Sequence, residues 1–294
     1  MIKLQRHPES LIDSLLLDYI KTYKNIWLLT DPRAGVYPQI AWHEAIAAEQ
    51  RWVIRDPQDK HSHDSKCLQL FKLSAADIDL IKQSVSIAKG ETQFAANAIC
   101  GWFVSPRSSE MVIKHLMNML DLQDQSQLTR YMFRYYDRRV LNWLIDILSP
   151  KQLSNLLGTV EHYIFNDRFN EVITLSHDSQ VIAEDRPCLV STHQRERIEK
   201  IKWCNKTLSL FKEIEQRELP KECEPSLMQA IEKAYRLQLS KASDIVAYGY
   251  YSLIYGEQFN HRQDIEALIT DGVLEGNSVN NIIKAQTAVF LSGI

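Results

Sequence analysis

The sequence predicts an α+β protein: an N-terminal mixed α/β lobe with a small sheet flanked by helices, followed by an all-α C-terminal lobe. Three observations predict it. Up to about residue 175, short apolar runs closed by turn residues mix irregularly with helical periodicities, without the regular strand–helix alternation of a parallel α/β fold. From Thr192 onward almost every segment places its apolar residues at helical spacing. The charge changes with the pattern, because residues 1–170 sum to +1 and residues 171–294 to −4. The polar, proline-containing stretch 176–191 separates the two regions, so the expected domains are residues 1–175 and 176–294.

Taken in order, residues 9–23 follow Pro8 and put Leu11, Leu15, Leu16, Tyr19, Ile20 and Tyr23 at helical spacing. Residues 25–30 are a short apolar run closed by Asp31-Pro32, a buried strand ending in a turn. Residues 52–54 and 68–73 are two further strands, separated by a polar loop over 56–66. Ser74 is placed to cap a helix that runs to about residue 89, with Asp77 as a shortened analogue of the capping-box acid. Residues 99–104 read as a strand stopped by Ser105-Pro106. Ser108 or Ser109 then caps a helix whose Val112, His115, Leu116 and Met119 share a face. Residues 129–136 are rich in β-formers and are expected to be a strand. Asp137 caps a helix with Val140, Leu141, Leu144 and Ile145 on one side. Ser149-Pro150 starts the next helix, where proline suits the first position, and Gly158 ends it. Residues 160–165 and 171–175 make a closing strand pair. The remaining expected helices are 192–219, one opened by Pro225, 243–255, 262–269 and 278–291.

Composition excludes several function classes. The 294 residues are 45% hydrophobic and 24% charged, enough apolar material for a substantial core. With 34 basic against 37 acidic side chains there is no global basic excess, so nucleic acid is not an expected partner. The longest apolar runs, such as 15–17 and 289–291, fall far short of the ~20 residues of a membrane span. The polar residues 1–9 lack an apolar signal core, and the five cysteines are odd in number with no Cys-x-x-Cys. A cytoplasmic protein with reduced thiols is expected. No phosphate-binding loop, dinucleotide fingerprint, nucleophile elbow or zincin motif occurs, so the expectation is a non-enzyme without cofactor or metal.

A few constellations remain. His61, His63 and Asp64 are metal-ligand types, but no spacing marks a further ligand, and a solvated loop explains them more simply. Cys100, beside Gly101 and Trp102, sits in an expected buried strand and reads as core rather than nucleophile. Phe133-Arg134-Tyr135-Tyr136-Asp137-Arg138-Arg139 is the densest polar–aromatic segment. It reads as an anion site at a helix start, as a protein-binding surface, or as a plain strand-to-helix junction with its arginines paired to carboxylates. Tyr248, Tyr251 and Tyr255 share a helical face, with Tyr250 off it. Such a stripe is core unless exposed, where it suits protein contacts. Trp102, Arg134, Tyr135, Tyr136, Arg138, Arg139, Tyr248, Tyr251 and Tyr255 are therefore the candidate protein-binding residues.

The order of motifs carries a resemblance. Trp27-Leu28-Leu29-Thr30-Asp31-Pro32, Gly101-Trp102-Phe103-Val104-Ser105-Pro106, and the segment from Phe133 to Leu141 are followed by Leu148-Ser149-Pro150-Lys151-Gln152-Leu153 and Leu157-Gly158-Thr159-Val160. Over roughly residues 20–166 this resembles the domain of unknown function 4123 family, whose members are adaptor chaperones for type VI secretion effectors. The family commonly has proline where Arg138 and Thr159 stand here, and both are turn positions. The resemblance implies a cytoplasmic adaptor that binds a specific effector and helps load it onto the VgrG spike or its PAAR-like tip, without catalysis. It does not reach the helical C-terminal half, the part expected to vary with cargo. An immunity or regulatory protein that binds a toxin, and an enzyme with a dispersed active site, are the alternatives.

Overall fold

The computed structural model describes residues 2–34, 44–55, 63–91, 97–126, 130–169, 171–177, 188–220, 223–256, 259 and 261–285. Most of the expected loop over 56–66, His61 included, and the end of the helix expected over 278–291 lie outside them. The architecture is α+β: a sheet-containing N-terminal region with helices, then a region whose described elements are all helices. The chain divides into two compact units, Met1–Arg195 and Glu196–Ile294. The sequence pattern places the boundary near 176, and the structural division falls at 195/196.

In the first unit, strands β1 (Lys3–Pro8), β2 (Asn25–Thr30), β3 (Arg51–Ile54), β4 (Leu68–Ser74), β5 (Ile99–Val104), β8 (His162–Asn166) and β9 (Glu171–Ser176) form one sheet in the order β1-β9-β8-β5-β2-β4-β3. Every neighbouring pair is antiparallel. A smaller sheet orders β10 (Cys188–Val190), β6 (Asp121–Asp124) and β7 (Arg130–Met132), with β10 parallel to β6. The central strands β2 and β5 are buried almost throughout, as continuous apolar runs demand. One sheet face packs on α1 (Ile12–Tyr23) and α2 (Ile78–Gly90): Leu16, Ile20, Ile81 and Val85 meet Leu28, Phe71, Leu73 and Trp102. Alternation sends Trp27 and its cross-strand partner Phe103 to the other face. Gly101 lies between these rows with φ +149°, and a Cβ there would overlap the Tyr163 ring and the Ile164 carbonyl oxygen.

Several local expectations hold. Ser74 and Asp77 form a capping box, now on the 3-10 turn Ala75–Asp77 that leads into α2. Ser108 caps α3 (Ser109–Asn118) and Asp137 caps α4 (Arg138–Ile147). Ser149 and Gln152 form a full capping box on α5 (Pro150–Leu157), with proline in its first turn. Gly158 follows with φ +54°, held close over the His115 imidazole, which bonds the Leu156 carbonyl oxygen at 2.9 Å.

Others are corrected. Among the described residues, the strand expected over 129–136 survives only as β7, and the alternation of exposed and buried side chains that continues through Tyr135 breaks at Tyr136. Phe133, Tyr135 and Tyr136 are all buried, while Arg134 is exposed, so the chain turns to bury consecutive rings rather than continue a ladder. The helix expected from residue 9 opens as a 3-10 turn, Glu9–Leu11, with Pro8 ending β1. Strands β1, β6 and β10 had no sequence signal: β1 is polar and exposed at the sheet edge, and β6 and β10 are short.

The helices α6 (Thr192–Glu215), α7 (Cys223–Arg236), α8 (Ala242–Tyr255), α9 (Gln263–Leu274) and α10 (Val279–Ala285) follow, the unit division falling in the first turn of α6. Leu208, Phe211, Leu227, Ile231 and Tyr248 are buried in the second unit. Gly249 on α8 lets the side chains of Thr207, Leu227 and Ile231 approach within about 3 Å of where a Cβ would stand. The Asp244 carboxylate accepts the Val279 N–H at 3.1 Å and so caps α10. Among the described residues no helix is long and apolar enough to cross a membrane.

Candidate functional site

Two turns of the first unit have the same local chemistry. After β2, Asp31 accepts the backbone N–H of Arg33 at 3.0 Å, and its two oxygens take Arg33 Nε at 2.8 Å and Nη2 at 3.0 Å. Before α4, Asp137 accepts the Arg139 N–H at 3.0 Å, Nε at 3.0 Å and Nη2 at 2.8 Å. Each Asp-x-Arg thus folds back on itself as an Asx-type turn reinforced by a bidentate ion pair. Arg134 adds a second cation to Asp137 at 3.2 Å.

Tyr136 joins the two turns. Its hydroxyl accepts Arg33 Nη2 at 2.6 Å, and the guanidinium carbons of Arg33 and Arg134 lie 5.9 and 6.0 Å from its ring centre. Burial pushes the Tyr136 phenol up, against the lowering influence of both arginines. The Asp137 carboxyl responds the other way. Burial alone would raise it, but the Arg139 hydrogen bonds and the nearby arginine charges hold it below the ordinary carboxylate value.

Exposure within these pairs is unequal. The side chains of Arg33 and Arg134 are 39% and 46% exposed, while those of Asp31 and Asp137 are 4% and 5% exposed. The surface therefore presents the cations and hides the balancing charges. Next to it, Arg138 is buried and pairs with Glu91 at 2.7 Å, and Glu91 also accepts the backbone N–H groups of Ala98 and Ile99. Burial pushes the Glu91 carboxyl up and the Arg138 guanidinium down, each opposed by the other's charge. A polar cavity of about 10 Å³, room for one water, touches Glu91, Arg138, Arg139 and Asp167.

Residues 27–155 match the family model described as domain of unknown function, DUF4123. No curated protein and no solved structure matches the chain. The DUF4123 segment runs from β2 into α5, so it contains both Asp-x-Arg turns, Glu91 and Tyr136.

Of the residues singled out from the sequence, Arg134, Tyr136, Arg138 and Arg139 come together in this segment. Tyr135 is buried beside them, its hydroxyl donating to the Leu116 carbonyl oxygen at 3.1 Å. Trp102 is apart from them, buried in the face that packs on α2, where its indole N–H donates to Ser84 Oγ at 3.0 Å. The tyrosines of α8 belong to the second unit. Tyr248 is buried against Phe259, and Tyr251 donates to Asn280 Oδ1 at 2.8 Å. Tyr255 is part-exposed and stacks on Tyr251 at 6.0 Å. Arg33 and Glu91 were not among the residues singled out from the sequence. The signal for Arg33 was present: Asp31-Pro32-Arg33 repeats the Asp-x-Arg spacing of Asp137-Arg138-Arg139.

Asp64 pairs with Arg55, and no cluster of three or more His, Cys, Asp or Glu able to hold a metal occurs among the described residues, which do not include His61. All five cysteines are buried, and none is in a disulfide. Burial pushes the Cys100 thiol well up and that of Cys188 to about 12, so neither is a ready nucleophile.

Proposed function

We propose that the protein is a cytoplasmic adaptor chaperone that binds a specific type VI secretion effector and promotes its loading onto the VgrG spike or its PAAR-like tip, without catalysis. The DUF4123 match carries this reading: four of the five motif segments that resemble the adaptor family lie wholly inside residues 27–155, and the fifth begins two residues later. The exposed guanidinium pair at Tyr136 supports a binding role, because arginine and tyrosine are favoured in protein interfaces.

The test is secretion. A strain lacking this protein but keeping its effector and spike genes should make the effector and fail to export it, and the full chain should restore export. Expression of the chain alone should not protect a cell from the effector's toxicity. Export that persists in the deletion strain overturns the reading, and protection by the chain alone would replace it with an immunity role.

A further inference from the structure

The guanidiniums of Arg33 and Arg134 converge on one tyrosine, are the exposed members of their ion pairs, and keep donors to spare. Arg33 spends Nε and Nη2 on Asp31 and Tyr136, which leaves both N–H groups of Nη1 without a partner among the described residues. Arg134 touches Asp137 through Nη2 at the end of a chain that is nearly half exposed, and Asp137 is already satisfied by Arg139. Arg134 can therefore turn toward an incoming anion without leaving a buried carboxylate unpaired.

We propose that Arg33 and Arg134 form a two-point reader of carboxylates, docking an acidic segment of the protein partner; this rests on the adaptor reading for the identity of that partner. The ligand chemistry follows from the geometry. A guanidinium edge matches a carboxylate bidentately, and two such edges anchored at one buried ring match two carboxylates a short distance apart along a peptide. Tyr136 does not touch the partner. It is a positioning residue that holds Arg33 by its hydroxyl and offers its π-system to both cations, which limits the freedom each arginine loses on binding. Nucleic acid fits less well. A polyanion is held by a long row of cations, whereas these two arginines stand on a unit close to neutral in charge.

The probe is a fluorescein-labelled hexaglutamate peptide titrated with the full chain at low salt and read by anisotropy, with hexaglutamine and a single-stranded DNA of equal charge as comparisons. The wild type should bind hexaglutamate, and salt should weaken the complex. R134Q should weaken it about tenfold, as loss of one charge-assisted pair would. R33Q/R134Q should abolish binding, and R134K, which keeps the charge but loses the fork, should fall between wild type and R134Q. The exposed Lys82 on α2 supplies the control K82Q, which should bind as wild type does. If R33Q does not fold, R134Q decides alone, since Arg139 still neutralises Asp137. Undiminished binding by R134Q, absence of hexaglutamate binding by the wild type, or equal affinity for the DNA overturns the proposal. The outcome is separable from the secretion test. A peptide that binds in a protein dispensable for export keeps the site and removes the adaptor role, and the reverse result removes only the site.

Discussion

Asp137 does three things at once: it caps α4, neutralises Arg139 and holds Arg134. D137A should therefore cost about 1–3 kcal/mol, a lost cap plus lost charge-assisted bonds, read as a lowered urea midpoint with the m-value unchanged. The same carboxylate sets a pH dependence. Its folded pKa lies below the unfolded value of about 3.9, so its contribution is complete above that value and disappears as pH falls through the folded pKa. The stability gap between wild type and D137N should be constant from pH 7 to about 5 and close below about 4; a gap that widens on acidification would contradict the assignment. At this scale the caps were legible because their chemistry is local: Ser74, Ser108, Asp137 and Ser149 each serve groups within three residues. The role of Tyr136 was not, because its hydroxyl partner is 103 positions away in sequence.

Among the elements, legibility followed burial. Residues 25–30 and 99–104 were recognised at their observed boundaries, since a strand covered on both faces is a plain apolar run. Strand β1, Lys-Leu-Gln-Arg-His-Pro, is an exposed edge whose pairing with β9 depends on backbone hydrogen bonds that composition does not reveal. The aromatic run from Phe133 to Tyr136 misled in the opposite direction, its β-propensity overridden by the need to bury successive rings. Glycine at 101 is the sharpest demand any strand makes. G101A should destabilise by about 2–4 kcal/mol, from a disfavoured φ together with a clash against the backbone of β8. Thermal unfolding measures this, and a melting temperature within a degree of wild type would show that the strands separate more easily than their packing implies.

For the whole molecule, the change from mixed to helical patterning gave the α+β class directly, and the drop in charge accompanied it. Five buried thiols provide a reporter of how tightly the units are closed. In native buffer an aromatic disulfide reagent should titrate none of them within minutes, whereas in 6 M guanidinium it should titrate all five. Rapid native labelling would mean that the core around Cys100 or Cys188 opens readily. The pairing of β1 with β9 also fixes the order in which the chain can be completed as it is made. Arg6 meets Asp167 across 161 positions, so the first strand must wait for nearly the whole unit to be synthesised, roughly 10–30 s at ordinary rates of synthesis. Until β8 follows, β5 has one unpaired side, and its apolar backbone edge is open to other nascent chains. Residues 27–155 taken alone would keep that edge open permanently. The segment defined by sequence similarity is thus shorter than the sheet it belongs to, and the residues on either side of it supply β1, β8 and β9.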